Sequence, residues 1–65
     1  MDAGRLMKIE CFQETQDDVP GVRVNCVFLN FVTNAYVAGT GWISDSNNMV
    51  DLVTTIGENL GIEVE

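Results

Sequence analysis

The chain contains no histidine, and its only cysteines are Cys11 and Cys26. Histidine is the side chain most often used as a general base near neutral pH, and together with cysteine it forms the common zinc sites. A catalytic cysteine would also need a basic neighbour to lower its pKa. We therefore expect a protein that is not an enzyme and holds no metal or cofactor. The two cysteines are expected to be small buried thiols, although oxidation could join them across neighbouring strands.

Basic residues are scarce as well. Arg5, Lys8 and Arg23 stand against ten acidic residues, which gives a net charge of −7. Phosphate backbones and anionic lipid surfaces are bound through lysine and arginine, so we expect no direct contact with nucleic acid or membrane. An acidic surface favours a basic partner, such as a protein that itself binds nucleic acid. The alternative is that the charge only keeps a small protein in solution.

Long apolar runs are also absent. No segment has 18 consecutive apolar residues, as a membrane-spanning helix requires, and no apolar run follows the first charges, as in a signal peptide. We therefore expect a cytoplasmic protein with reduced thiols. At 65 residues the sequence predicts a single domain over 6–65, preceded by a flexible leader over 1–5.

Apolar and polar residues alternate in three segments, 6–15, 22–31 and 35–43. This is the pattern of β-strands with one buried face. Pro20–Gly21 suits the centre of a type II turn and predicts a hairpin between the first two strands. Asn34 can take the left-handed conformation in a turn between the second strand and the third.

The last third of the chain has a helical period instead. Its apolar residues recur at steps of three and four, as Met49, Leu52, Val53, Ile56 and Leu60. We expect Ser44, Asp45 or Ser46 to cap this helix at its start, and Asp51 to place negative charge near its positive end.

Gly61 suits the left-handed position after a helix, and residues 62–65 are compatible with a short fourth strand. The sequence thus predicts an α+β fold with the element order β-β-β-α. Its three-stranded antiparallel sheet has one C-terminal amphipathic helix packed on one face.

One helix covers only one face of such a sheet, yet the sequence places apolar residues on both faces. The face toward the helix is predicted to contain Met7, Ile9, Cys11, Val22, Val24, Cys26 and Phe28. The other face is predicted to contain Phe12, Val27, Leu29, Phe31, Tyr36 and Trp42. Burial of each large side chain is worth about 1.5–3 kcal/mol, so we expect a second copy packed sheet to sheet as a homodimer, or a different protein, to cover this face. The alternative is a monomer in which a bulge turns these side chains inward.

The order strand, strand, strand, helix, with glycines near the end of the third strand, resembles the later part of a double-stranded-RNA-binding domain over residues 22–60. Such domains present lysines at the start of this helix. This chain has Asp45, Ser46, Asn47 and Asn48 there. The RNA contacts of the family therefore do not carry over.

The missing chemistry, the long segment without basic residues and the surplus apolar face favour a small acidic interaction protein that binds and blocks a partner. Such chains look like small inhibitors, for example the anti-defence and anti-CRISPR proteins that phages encode. The predicted anchors are Leu29, Phe31, Tyr36 and Trp42. The predicted residues for electrostatic steering are Asp45, Asp51 and Glu58.

Two alternatives use the same features differently. A homo-oligomeric module could bind or sequester a small ligand at the seam between subunits, with Arg23 as the ligand contact. An acidic immunity or antitoxin protein would have the same physical properties as an inhibitor.

Overall fold

A computed structural model describes residues 1–44 and 48–65. Among these residues are four strands and one helix: β1 (Asp2–Gln13), β2 (Gly21–Asn30), β3 (Ala35–Ser44), α1 (Met49–Asn59) and β4 (Ile62–Val64). The strands form one sheet in the order β3-β2-β1-β4, with β4 parallel to β1 and the other pairs antiparallel. The predicted α+β fold is confirmed, including the short fourth strand. No helix in the described part of the chain is long and apolar enough to cross a membrane.

The core lies between the sheet and α1. Its buried apolar residues are Val24, Cys26, Phe28, Ile56 and Ile62. Glycines let the helix approach closely, because a Cβ on Gly39 would lie 2.8 Å from Ile56 Cγ2 and one on Gly57 would lie 2.7 Å from Val64 Cγ2. The glycine at position 57 therefore allows α1 to pack closely against the sheet.

The residue that caps the helix, Asn48, lies two to four residues after the predicted caps. The Asn48 side chain accepts hydrogen bonds from the backbone N–H groups of Val50 and Asp51, at 3.0 and 3.4 Å. Ser44 is instead the last residue of β3, and the other predicted caps, Asp45 and Ser46, lie outside the described residues. The prediction that Asp51 lies in the first turn is confirmed.

The helix ends as the sequence predicts. Gly61 has a φ of 78°, as expected for the left-handed residue that follows a helix. Ile62 comes next and is fully buried, so the chain turns back into the core immediately. This reversal starts β4 beside the first residues of β1.

Residues 1–5 differ from the predicted flexible leader. β1 begins at Asp2, whose backbone N–H donates to the Gly61 carbonyl at 3.0 Å. Asp2–Gly4 pair with β4, and Gly4 is buried. These residues therefore form the middle of the sheet at this end, between β2 and β4.

The hairpin between β1 and β2 is confirmed, but its turn is not at Pro20–Gly21. Asp17 and Asp18 both have positive φ, at 49° and 64°, while Gln16 and Val19 exchange backbone hydrogen bonds of 3.0 and 2.8 Å on either side. Two central residues with positive φ define a type I′ turn, which matches the twist of a hairpin. Gly21 belongs to β2.

β1 contains a bulge at Met7. Leu6 pairs with Phe28 and Lys8 pairs with Val27, so Met7 has no residue opposite it. Leu6 packs against the core, whereas Met7 is exposed. The prediction that Met7 meets the helix is therefore wrong, because the bulge shifts the alternation by one residue.

The sheet extends well beyond the helix. The 11 residues of α1 span about 16 Å, whereas the 12 residues of β1 span about 40 Å. Ile9 and Cys11 pair with Cys26 and Val24 on the helix side, but α1 packs mainly against β3 and β4, so these two side chains of β1 remain exposed. The prediction of two buried thiols is wrong for Cys11. Cys26 is buried, and this burial raises the pKa of its thiol.

Candidate interaction surface

The side of the sheet opposite α1, here called the open face, is formed by side chains that alternate with the buried residues of β2. Its four cross-strand rows follow from the strand register. They are Arg5, Leu29 and Tyr36; Lys8, Val27 and Ala38; Glu10, Asn25 and Thr40; Phe12, Arg23 and Trp42. No element of residues 1–44 and 48–65 covers this face. The predicted face without a covering layer is therefore present within the chain, but half of the residues in its rows are polar or charged.

One end of the open face presents large apolar side chains to solvent. Leu29 pairs directly with Tyr36, whose side chain is 66% exposed, and Arg5 lies on the other side of Leu29 in the same row. Phe31 follows at the end of β2, is 46% exposed, and borders a groove with Arg5 and Glu65. Three of the four predicted anchors thus lie at one end of the sheet.

Asn30 holds this end in place, and sequence reasoning missed it. Its side-chain oxygen accepts the backbone N–H groups of Val32 and Thr33 at 2.8 and 3.1 Å, and its amide donates to Asp2 at 3.1 Å. Asn34 closes the same turn with a φ of 57°, as predicted. An asparagine at the end of a strand that could cap the following turn was the available signal.

The fourth predicted anchor, Trp42, lies at the opposite end. It is six residues from Tyr36 along β3, a separation of about 20 Å. Its indole N–H donates to the Glu14 carbonyl at 2.9 Å, and its ring lies against Gly21. Trp42 is half-buried and satisfied within its own chain, so it stabilises the hairpin end of the sheet and is not grouped with the other anchors.

Arg23 is also engaged within the chain. Its Nη2 and Nε donate to Glu14 Oε2 at 2.7 and 3.1 Å, and Gln16 donates to the same oxygen at 2.8 Å. The hydrogen bonds from Arg23 and Gln16 hold the pKa of Glu14 below its ordinary value. The Arg23 guanidinium is thus neutralised by a carboxylate.

The three basic residues share the open face but do not converge on one point. Lys8 lies 3.8 Å from Glu10, and both side chains are largely exposed. Arg23 is four residues along β2 from Val27, the partner of Lys8, which corresponds to about 14 Å. Arg5, Lys8 and Arg23 are therefore spaced too widely to hold one small anionic ligand together.

The predicted steering residues lie on the other side of the molecule. Asp51 and Glu58 are seven residues apart on the exposed surface of α1, and α1 packs on the opposite face of the sheet from Leu29 and Tyr36. Asp45 lies outside the described residues. The anchors and the acidic residues therefore do not form one continuous surface.

We expect the contact between Glu14 and Arg23 to make stability depend on pH. Because the folded pKa of Glu14 is depressed, its contribution is fully present above the pKa of an unfolded glutamate, about 4.3, and is lost as the pH falls through the lower folded value. Glu14→Gln should therefore lower the free energy of unfolding at pH 7 more than at pH 3, as measured by urea denaturation.

The matched control is Glu10→Gln. The Glu10 carboxylate lies 3.8 Å from the Lys8 ammonium in an exposed pair, and such pairs contribute little to stability. This variant should unfold with nearly the wild-type midpoint at both pH values. Equal effects of the two substitutions at pH 7 would contradict a special role for Glu14.

Within residues 1–44 and 48–65 there is no group of three or more histidine, cysteine, aspartate or glutamate residues that could hold a metal ion. Comparisons with protein-family models, curated proteins and solved structures gave no match.

Proposed function

We propose that this chain is a non-enzymatic inhibitor that binds a partner protein through the Leu29–Tyr36 end of its open face and blocks the partner's own binding site. The observation that carries the proposal is the exposure of Phe31 and Tyr36, beside the half-buried Leu29, on one uncovered end of a sheet. Exposed aromatic side chains surrounded by smaller groups are typical of the centre of an interface.

The charge distribution favours a basic partner, such as a nucleic-acid-binding protein. A net charge of −7 on 65 residues attracts positive surfaces over distances longer than a contact. Asp51 and Glu58 then act while the partner approaches, even though they lie away from the anchors. Their role is in the rate of association rather than in the bound contact.

The size of the molecule supports one partner at a time on this face. A protein interface of standard size buries about 800 Å² on each side. This is about a fifth of the 4281 Å² accessible surface of the chain. A partner of ordinary size would therefore cover most of the open face. This suits a protein that acts by covering the binding site of its partner.

The test begins with a photo-crosslinking phenylalanine analogue placed at Tyr36, with the same analogue at Val50 as the control. Val50 is 72% exposed on α1, away from the open face. Crosslinking in the native host should capture a partner from position 36 and not from position 50. The captured protein is then purified, and its own activity is measured with equimolar chain.

We expect Leu29→Glu to weaken binding to that purified partner by about 30-fold, because an interface anchor contributes about 2 kcal/mol. The matched variant Val50→Glu adds the same charge outside the proposed surface and should change the affinity less than threefold. An equal loss of affinity in both variants would overturn the proposal. So would a partner whose activity is unchanged when it is saturated with the chain.

A further inference from the structure

β3 is an edge strand with an unusually bare outer edge. It is the first strand in the sheet order, and within residues 1–44 and 48–65 no strand lies beside its outer edge. Its ten residues, AYVAGTGWIS, include no charge and no proline. The other edge strand, β4, has only three residues and carries Glu63 at its centre. Long uncharged edges readily pair with another strand, and proteins normally protect them with lysine, proline or a bulge.

The sequence of β3 is complementary to itself when two copies run antiparallel about Gly39. In that register large side chains oppose small ones on the helix side, and two aromatic side chains oppose each other on the open face. The pairs are Ala35 with Ile43, Tyr36 with Trp42, Val37 with Gly41, and Ala38 with Thr40. Aromatic pairs across strands add stability beyond the backbone hydrogen bonds.

Charge also favours this edge as the place where two acidic chains meet. No aspartate, glutamate, lysine or arginine occurs from Val24 to Ser44, so like charges do not face each other along the seam. On the helix side, Asp51 lines a groove with Ile43 of β3. Ile43 lies at one end of the ladder, so the two Asp51 side chains are about 27 Å apart, beyond the screening length of about 8 Å at physiological salt.

We propose that two copies of this chain pair through β3, antiparallel and centred on Gly39, to form one continuous sheet of eight strands. A two-fold axis perpendicular to the sheet keeps both helices on the same side. Nine residues from each copy then form a ladder of about eight to ten backbone hydrogen bonds. Tyr36 of each copy meets Trp42 of the other.

This dimer differs from the sheet-to-sheet dimer expected from the sequence. Pairing at the edge leaves the open face uncovered and joins two open faces side by side. Self-association and partner binding therefore do not compete for the same surface. The inference stands independently of the proposed function, because its test requires no partner.

Single cysteines placed on β3 test both the dimer and its register. In a Cys11→Ser background, Ala38→Cys and Thr40→Cys are prepared separately, mixed in reducing buffer and then oxidised. Residues directly opposite on antiparallel strands have Cα atoms about 4.5–5.5 Å apart, which suits a disulfide. The mixture should form a disulfide between the two variants, and each variant alone should crosslink several-fold less.

Several outcomes would overturn the proposal. Efficient crosslinking of Thr40→Cys alone would overturn the register centred on Gly39. Equal crosslinking when Val50→Cys replaces Thr40→Cys in the mixture would show random collision. Light scattering should give twice the 7.1 kDa of one chain at micromolar concentration, and a mass of one chain at 100 µM would reject the dimer.

Charge variants provide a second, reversible measurement. Ala38→Lys with Thr40→Lys places like charges opposite each other in the proposed register and should reduce the mass to that of one chain. The pair Ala38→Glu with Thr40→Glu should do the same, and mixing the two double variants should restore the dimer. Circular dichroism checks that each double variant is folded, since Thr40 Oγ1 donates to the Val24 carbonyl. A dimer that survives the lysine variant would place the interface elsewhere.

Discussion

Replacing Phe28 with alanine is expected to lower the free energy of unfolding by about 3–5 kcal/mol, the usual cost of deleting a buried phenylalanine side chain. Phe28 is 0% exposed and sits at the centre of the core. Its ring lies against Gly57 of α1, and its strand neighbours are Leu6 and Val37. The substitution thus leaves a cavity where the helix and three strands meet.

A loss of this size is large for a short chain. Stabilities of about 0.05–0.15 kcal/mol per residue correspond to about 3–10 kcal/mol for 65 residues. A substantial unfolded fraction of Phe28→Ala is therefore expected at 25 °C, visible in urea titrations followed by circular dichroism at fixed protein concentration.

Phe12→Ala is the matched control, because it makes the same chemical change on the open face. Phe12 is 51% exposed, so its truncation should cost less than about 1 kcal/mol. If Phe12→Ala were as destabilising as Phe28→Ala, the open face would be buried under the conditions of the measurement. That result would also indicate that a second copy covers it.

The location of this core could be predicted from the sequence because periodicity alone separates the two sides of each element. The helical stripe from Met49 to Leu60 and the alternation of Val24, Cys26 and Phe28 each identify one buried side. Once those two sides meet, the α+β arrangement follows. The short strand after Gly61 was also foreseeable, because a left-handed glycine ends the helix and reverses the chain.

The details of β1 could not be predicted because they depend on partners distant in sequence. Asp2–Gly4 are ordered by pairing with β4, 60 residues away in the sequence, and their own sequence contains no strong strand signal. The bulge at Met7 likewise appears only when β1 is aligned with β2. At the hairpin, the Pro20–Gly21 pair is a strong turn signal, but the turn formed at Asp17–Asp18 because two left-handed residues match the strand twist.

Part of the separation between the anchors and the acidic residues could be predicted from the sequence. A helix that packs its apolar stripe on one sheet face must direct its charged side away from the sheet, so Asp51 and Glu58 had to lie opposite the open face. The role of Trp42 could not be predicted from the sequence pattern. Its ring lies against Gly21, and its N–H bonds a carbonyl 28 residues away, so only the folded register reveals that it stabilises its own chain.

That role predicts the second large effect, from Gly21→Ala. A Cβ at position 21 would overlap the Trp42 ring and lie 2.6 Å from the Ile43 carbonyl oxygen. The ring must move, and its hydrogen bond to the Glu14 carbonyl is then lost. Overpacking costs about 1–3 kcal/mol and a lost hydrogen bond about 1 kcal/mol, so we expect a total destabilisation of about 2–4 kcal/mol. Trp42 is the only tryptophan, and its fluorescence should shift to longer wavelength as the indole becomes solvated.

A double-mutant cycle shows how much of the destabilisation by Gly21→Ala comes from the Trp42 ring and how much from the Ile43 backbone. In a Trp42→Ala background the ring is absent, so Gly21→Ala should cost at least 1 kcal/mol less than in the wild type, because only the contact with the Ile43 carbonyl remains. Identical costs in both backgrounds would mean that the carbonyl alone excludes a side chain at position 21. The packing of Trp42 on Gly21 would then contribute little to stability. Trp42 would have to be counted again among the partner-binding anchors.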